Sequence, residues 1–104
     1  MPGIDLNYFI RQANKLTEKI EQRKKELAEE TVEGNAGGLV TAVVSGVQEL
    51  KALRIDPKAL EGNDTALVED LVVAAVNQAL ENSRNKMKTE LEKISGGVKI
   101  PGIT

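Results

Sequence analysis

Apolar residues recur at alternating three- and four-residue steps through the first thirty positions of the chain. The positions that follow this spacing are Leu6, Phe9, Ala13, Leu16, Ile20 and Leu27. Arg23 is a polar exception within the row, and most of the other positions carry polar or charged side chains. Since no Gly or Pro interrupts the run and the spacing is heptad-like, the pattern predicts a long helix over residues 5–29.

The pattern changes between residues 31 and 57, where glycine and β-branched residues replace the helical spacing. Residues 34–38 are glycine-rich and typical of a turn. Residues 39–45 are Val-rich and predict a strand, after which Gly46 allows a tight reversal. Residues 47–55 predict the returning strand, which Asp56 and Pro57 end because proline cannot donate to the ladder. With a further short strand at residues 31–33, we expect a two- or three-stranded antiparallel sheet.

A second long helix is predicted over residues 65–94, after one helical turn at residues 57–60 and an N-cap at Asn63 or Asp64. Its first half carries a broad apolar face, formed by Leu67, Val68, Leu71, Val72, Ala75, Val76, Ala79 and Leu80. Farther along, the face narrows to Met87, Leu91 and Ile94, and Gly96 with Gly97 ends the helix. We expect residues 1–4 and 98–104 to be flexible.

The predicted lengths indicate an elongated single domain of the α+β class. At the rise of an α-helix the two helices are roughly 38 and 46 Å long. A compact globule of about this chain length has a radius of gyration near ~13 Å, so the helices must project from the sheet. If they lie side by side, their free ends point the same way, away from the sheet.

The central strand predicts a second copy of the chain. Val40, Ala42, Val43 and Val44 are apolar in both alternating registers, which indicates burial on both faces of the sheet. A small sheet covered by helices on one side leaves its other side and its edges open. We therefore expect a homodimer. The residues expected at its interface are Leu39, Val40, Val43 and Val44. The alternative is a two-layer monomer.

The composition excludes most kinds of catalytic and metal site, and we expect that the protein is not an enzyme. The chain has no His and no Cys, so it lacks the usual general base, the commonest metal ligand and any disulfide. Glu69 and Asp70 are adjacent on a helix and do not converge, and the glycine-rich segment lacks the Gly-Lys-Ser/Thr ending of a phosphate loop. We expect no cofactor and no metal. No apolar run is long enough for a membrane span and the N-terminus lacks the features of a signal peptide, so we expect a cytoplasmic location.

Charge is distributed unevenly, although the formal net charge is only −2. Between residues 11 and 25, six basic residues stand against two acidic ones, and between residues 84 and 99 five stand against two. Between residues 31 and 83, three basic residues stand against eight acidic ones. The helices are therefore basic and the body is acidic. Basic arms of this kind suit phosphate contacts without base reading, whereas the alternative is a solvated helix face with ion pairs.

A series of short motifs runs through nearly the whole chain. In order they are Gly34, Gly37-Gly38-Leu39-Val40, Gly46, Ile55-Asp56-Pro57, Leu60, Glu69-Asp70-Leu71-Val72, Ala74-Ala75, Asn77 and Ala79. In order and spacing they resemble the YbaB/EbfC family, and Gly96-Gly97 followed by Pro101-Gly102 resembles its C-terminal end. The chain departs from the family in a first helix that is poor in Met and in Gln78, where Asp is common.

The resemblance implies an α-β-β-β-α protomer, a tweezer-like homodimer with helical arms, and sequence-tolerant binding to double-stranded DNA on the bacterial nucleoid. The candidate DNA-binding residues are Arg11, Lys15, Lys19, Arg23, Lys24, Lys25, Arg84, Lys86, Lys88 and Lys93. Arg23 and Arg84 fall where the apolar rows predict a hydrophobe, so packing of their stems with the guanidinium in water is the favoured interpretation of both. The alternative function is a protein-interaction module that clasps a replication or repair partner without binding DNA.

Overall fold

The computed structural model describes residues 5–96, which form two long helices joined through a three-stranded sheet. Helix α1 spans Leu6–Glu29, and strands β1, β2 and β3 span Thr31–Ala36, Val40–Ser45 and Leu50–Ile55. A 3-10 turn at Pro57–Leu60 leads to helix α2 at Thr65–Ser95. The strands are antiparallel in the order β1-β2-β3. This confirms the α+β class and the α-β-β-β-α order.

Capping residues define both ends of α2, as the sequence predicts, and Asp5, which the prediction included in the first helix, is the N-cap of α1. The Asp5 carboxylate accepts hydrogen bonds from the backbone N–H groups of Asn7 and Tyr8, at 3.0 and 3.3 Å. The Asp64 carboxylate accepts from the Leu67 N–H at 3.0 Å, so Asp64 is the N-cap of α2. At the other end, Gly96 closes α2 in the left-handed conformation that glycine adopts without strain.

Two strand boundaries differ from the prediction by more than one residue. Strand β1 continues to Ala36, because residues 34–36 pair with β2 instead of forming a turn. Strand β3 begins at Leu50, three residues later than predicted, because residues 47–49 form the turn. There the Ser45 hydroxyl accepts the N–H groups of Val47 and Glu49, and Gln48 has a φ of 63°.

The core lies between α2 and the face of the sheet formed by β1 and β2. Its buried members are Ala36, Val40, Ala42, Val44, Ala75 and Ala79. At Gly34 the backbone of α2 passes so close that a Cβ atom would overlap Ala75 and Ala79. The small residues on both elements therefore set the distance between helix and sheet.

The burial of Val40 and Val44 corrects the prediction that they form a dimer interface. Both are fully buried within the protomer, because alternate residues of β2 face α2 and the core. They have no surface left for a second chain. The other two predicted interface residues, Leu39 and Val43, are half-buried and keep some exposed surface.

Strand β3 extends beyond the cover that α2 provides. Leu53 and Ile55 stand opposite Ala42 and Val40, so they are on the helix-facing side of the sheet. They are nevertheless each 38 % exposed, and Leu50 is 51 % exposed. The unpaired edge of β3 therefore carries an apolar row that no element within residues 5–96 covers.

The two helices run side by side away from the sheet and give the protein an elongated shape. Its principal extents are 76 × 20 × 15 Å, and its radius of gyration is 19.8 Å. Ile20 and Leu27 of α1 and Leu91 of α2 are buried where the helices meet. The expectation of projecting helices is confirmed. The predicted flexibility of residues 1–4 and 98–104 concerns positions outside the described residues.

Candidate nucleic-acid interface

Three of the predicted DNA-binding residues form an exposed row on the outer half of α1. Arg11, Lys15 and Lys19 are four residues apart, which places them on one side of the helix. None has a carboxylate within salt-bridge distance among residues 5–96. At about 100° per residue, Arg11 and Lys15 project from the side of the helix opposite Phe9 and Ala13. Lys19 lies on the flank of the helix, and it lines a groove toward the end of α2 together with Lys15. We call Arg11, Lys15 and Lys19 the basic row.

Arg23 has a different environment, because it is the centre of an ionic cluster between the helices. Its guanidinium donates to the carboxylates of Glu30 and Glu90, each at 2.5 Å, and to Glu26 at 3.1 Å. Only 19 % of its side chain is exposed. Lys86 contacts Glu30 at 2.9 Å and Lys93 contacts Glu90 at 2.6 Å, which completes the cluster.

The ionic cluster shifts the pKa values of Glu30, Glu90 and Arg23 in the directions that favour their charged forms. Hydrogen bonds from Arg23 and then Lys86 lower the pKa of Glu30 to about 2. Contacts with Lys93 and then Arg23 lower the pKa of Glu90, and Glu30 followed by Glu90 raises the pKa of Arg23. The cluster therefore links α1 to α2 across their contact, with charges that cancel locally.

This pairing corrects the charge count on which the predicted interface rested. The prediction assigns Arg23, Lys86 and Lys93 to DNA binding, but each of them forms an ion pair with a glutamate. Lys24 also lies 4.0 Å from Glu21, at the limit of an ion pair. The favoured interpretation placed the guanidinium of Arg23 in water, whereas the structure bonds it to three carboxylates while the side chain stays 19 % exposed. The sequence shows that these charges exist but not which of them are paired, since Arg23 and Glu90 are far apart in the chain.

The remaining candidates, Lys25, Arg84 and Lys88, are exposed and have no ion pair within residues 5–96. Lys25 and Lys88 lie at about the same level along the helix pair, because Arg23 stands beside Glu90 in the antiparallel arrangement. Arg84 is closer to the sheet. The basic residues without an ion pair thus extend along the part of the molecule where α1 and α2 project from the sheet, here called the arm. They are densest at the basic row.

The sheet end of the protein has the opposite character. Of its three basic residues, Lys51 and Arg54 are paired with Glu49 and Glu33, at 3.1 and 2.9 Å, and Lys58 has no ion pair within residues 5–96. The acidic residues around the sheet and the start of α2 are Asp56, Glu61, Asp64, Glu69, Asp70 and Glu81. The sheet end therefore has an excess of acidic side chains, whereas the cations without an ion pair on the helices face no such excess.

The described residues offer little for other chemistry. Across residues 5–96 no three acidic side chains converge in a way that would hold a metal ion. An open groove of about 430 Å³ lies along the arm between α1 and the end of α2, lined by Lys15, Glu18, Lys19, Gln22, Arg23, Glu26 and Ile94. Its lining contains no Ser, Thr or Cys. Neither described helix is long and apolar enough to cross a membrane.

The fold and the charge distribution define a class of protein. It is an elongated α+β protein whose projecting helices carry basic side chains without an ion pair within residues 5–96, and whose sheet end is acidic. A family model described as the YbaB/EbfC DNA-binding family matches residues 1–98. The chain belongs to this family.

Its relatives agree with that assignment. A nucleoid-associated protein of Myxococcus xanthus is 66 % identical over 105 residues, with both chains covered completely. A nucleoid-associated protein of Anaeromyxobacter dehalogenans is 46 % identical over 101 residues, covering 96 % of this chain and 98 % of the relative. The fold is similar to the crystal structure of an uncharacterised protein from Helicobacter pylori, with a TM-score of 0.78 at 19 % identity, covering 90 % of this chain and all of the other.

Proposed function

We propose that this protein binds duplex DNA on the nucleoid without strong sequence preference, by contacting phosphates with the arm and without catalysing a reaction. The observation that carries the proposal is the basic row: three exposed cations on one side of a projecting helix, with no carboxylate partner among residues 5–96. Family membership supports DNA as the ligand.

The geometry of the basic row favours phosphate contacts over base reading. Arg11 and Lys19 are separated by about 12 Å along the helix axis, a length over which a duplex presents about seven phosphates. Lysine ammonium groups act as point charges, which attract phosphates without fixing a base-specific geometry. With few phosphates neutralised and a net negative chain, the affinity is expected to be modest and to fall steeply with salt.

We further propose a homodimer in which the exposed edge of β3 pairs with a second copy. Leu50, Leu53 and Ile55 supply the apolar contact, and the open hydrogen-bonding edge supplies the pairing. Leu39 and Val43 remain candidates at this interface. Such a dimer carries two arms, which doubles the number of phosphate contacts that one particle can make.

The test of DNA binding is a mobility-shift series on unrelated duplexes at increasing salt. We expect similar affinities for each duplex and a steep loss with salt. Changing Arg11, Lys15 and Lys19 together to Glu is expected to abolish binding while light scattering reports an unchanged dimer. Binding that does not depend on salt, or normal binding by the triple variant, would contradict the proposal and favour a protein-clasping module instead.

A matched pair of single changes separates a local contact from net charge. Lys19→Glu and Lys58→Glu alter the charge of the chain equally, but Lys19 belongs to the basic row and Lys58 lies in the 3-10 turn at the acidic body. We expect Lys19→Glu to weaken binding more strongly. Equal losses would show that DNA responds only to the total charge.

A further inference from the structure

The apolar row of α1 continues beyond the point where α2 ends. Near the sheet the row is buried at Ile20 and Leu27 against α2. The last turn of α2 reaches the same level as Lys19 and Arg23, because Ile94 lines the groove with them. Farther out, Leu6, Phe9 and Ile10 are 69, 55 and 56 % exposed. The row therefore loses its helical partner, within residues 5–96, over the first three turns of α1.

The surroundings of this outer row indicate what kind of surface it fits. The polar positions that flank it between Leu6 and Thr17 are uncharged, namely Asn7, Gln12, Asn14 and Thr17. The charged side chains of the same turns, Arg11 and Lys15, project from the opposite side of the helix. Two copies of this surface can therefore approach each other without placing like charges together. A strongly acidic or basic partner, in contrast, finds no complementary charge beside the row.

We propose that Leu6, Phe9, Ile10, Ala13 and Leu16 form a self-association surface, here called the tip row, on which the tip row of a second copy packs. The row continues the spacing that packs α1 against α2, so a helix is the shape that it fits. An arrangement of two identical helices about a twofold axis matches each row with itself. Because Arg11 and Lys15 project from the other side of the same turns, both paired copies keep these two residues exposed.

The consequence is a contact between molecules that is separate from the β3 edge. Tip-to-tip pairing joins the arms of different particles, whereas β3 pairing joins sheets. When both operate, bound copies connect two duplexes, or two segments of one duplex, that are held on opposite sides of the paired tips. The tip contact is thus the element that turns single binding events into bridges.

The principal test compares two variants by light scattering and sedimentation over a wide range of protein concentration. Phe9→Gln combined with Ile10→Gln removes apolar surface from the tip row, and glutamine preserves helix propensity. Val73→Gln is the matched control, because Val73 is an apolar residue of α2 that is as exposed as Phe9 and Ile10, at 59 %, but does not belong to the tip row. We expect the wild-type protein and Val73→Gln to form a further species at high concentration, and the double variant to weaken that step by at least about tenfold. Circular dichroism checks that each variant retains its helices.

The absence of cysteine from the chain allows a second, positional test. Ala13→Cys places a thiol in the tip row, and Tyr8→Cys places one on the other side of the same turns. With a short bis-maleimide reagent at high concentration, we expect Ala13→Cys to form covalent pairs and Tyr8→Cys to form few.

Three outcomes would overturn the proposal. The first is a wild-type protein whose mass does not change with concentration, and the second is equal cross-linking at both thiol positions. The third is a double variant that associates normally but binds DNA more weakly when dilute, which would assign the tip row to DNA. None of these outcomes affects the basic row, which is tested by the charge variants above.

Discussion

Gly34 illustrates how a single position sets the distance between α2 and the sheet. It lies in β1 opposite Ala42, where the backbone of α2 passes directly over the strand. A methyl group there would overlap backbone atoms of Ala75 and Ala79, which cannot move aside as a flexible side chain can. We expect Gly34→Ala to lower the free energy of unfolding by about 2 kcal/mol or more, through overpacking, in a urea titration.

Gly62 provides the control for this prediction. A Cβ atom built at Gly62 meets nothing within 4 Å, and the residue precedes α2 in an open turn. Gly62→Ala is expected to change the free energy of unfolding by well under about 1 kcal/mol. If both variants had the same midpoint, the close approach at Gly34 would not be a stability determinant.

The sequence predicts which positions are unusual more reliably than it predicts what those residues contact. The sequence marks Gly34 as a glycine but suggests a turn, because glycine is commonest where φ is positive. Its actual role is steric, and only the position of α2 reveals it. Similarly, the sequence marks Arg23 as a polar break in an apolar row. Its bonds to Glu30 and Glu90 depend on how the two helices align, which local spacing does not determine.

At the scale of elements, the turn between β2 and β3 is tied to α2 by a small polar network. The buried Ser83 hydroxyl donates to the Ser45 carbonyl at 2.7 Å and accepts from the Gln48 side chain at 3.0 Å. Ser83→Ala removes both bonds and leaves Gln48 without one of its partners. We expect a loss of about 1–3 kcal/mol in the free energy of unfolding.

The comparison for Ser83 is Ser95, near the end of α2. Its hydroxyl donates only to the Glu92 carbonyl within its own helix and is not fully buried. Ser95→Ala is expected to alter the free energy of unfolding by about a few tenths of a kcal/mol at most, as is usual for surface changes. A loss as large as that of Ser83→Ala would indicate that hydroxyl removal in α2 is costly for reasons other than the network.

The pairing of α1 with α2 is expected to depend on pH through the ionic cluster. Arg23 and Lys86 lower the pKa of Glu30 from 4.5 to about 2 in the folded protein. Between these values the unfolded chain binds more protons, so the contribution of Glu30 to stability is present above about pH 4.5 and is lost as the pH falls toward about 2. Glu90, whose pKa is also lowered, adds to the same acid-side loss.

The measurement for this effect is thermal unfolding across that pH range. We expect Glu30→Gln to be less stable than wild type near neutral pH and to show a flatter dependence on pH, because the neutral amide has no proton to gain. Gln12→Ala, an exposed change on the same helix that removes no titratable group, is expected to retain the wild-type pH dependence. A Glu30→Gln curve parallel to that of wild type would show that the cluster does not couple the helices.

The shape of the whole molecule could be predicted from lengths alone. Two helices of roughly 38 and 46 Å cannot fit within a compact globule of this chain length, and the observed extent of 76 Å reflects that constraint. The effective charge of the arm could not be predicted in this way. It depends on which cations meet a carboxylate, as Arg23, Lys86 and Lys93 do. The arm is therefore less basic toward a ligand than its composition suggests.

This difference between total and available charge leads to a prediction for the salt dependence of DNA binding. Lys19 has no carboxylate within salt-bridge distance among residues 5–96, whereas Lys93 lies 2.6 Å from Glu90. Only an available cation releases counterions from DNA when it binds, so Lys19→Gln should reduce the slope of log affinity against log salt by about 1 for each copy that contacts DNA. Lys93→Gln, which alters the net charge equally, should reduce it much less. Equal reductions would show that DNA displaces Glu90 from Lys93, and the whole arm would then act as one basic surface.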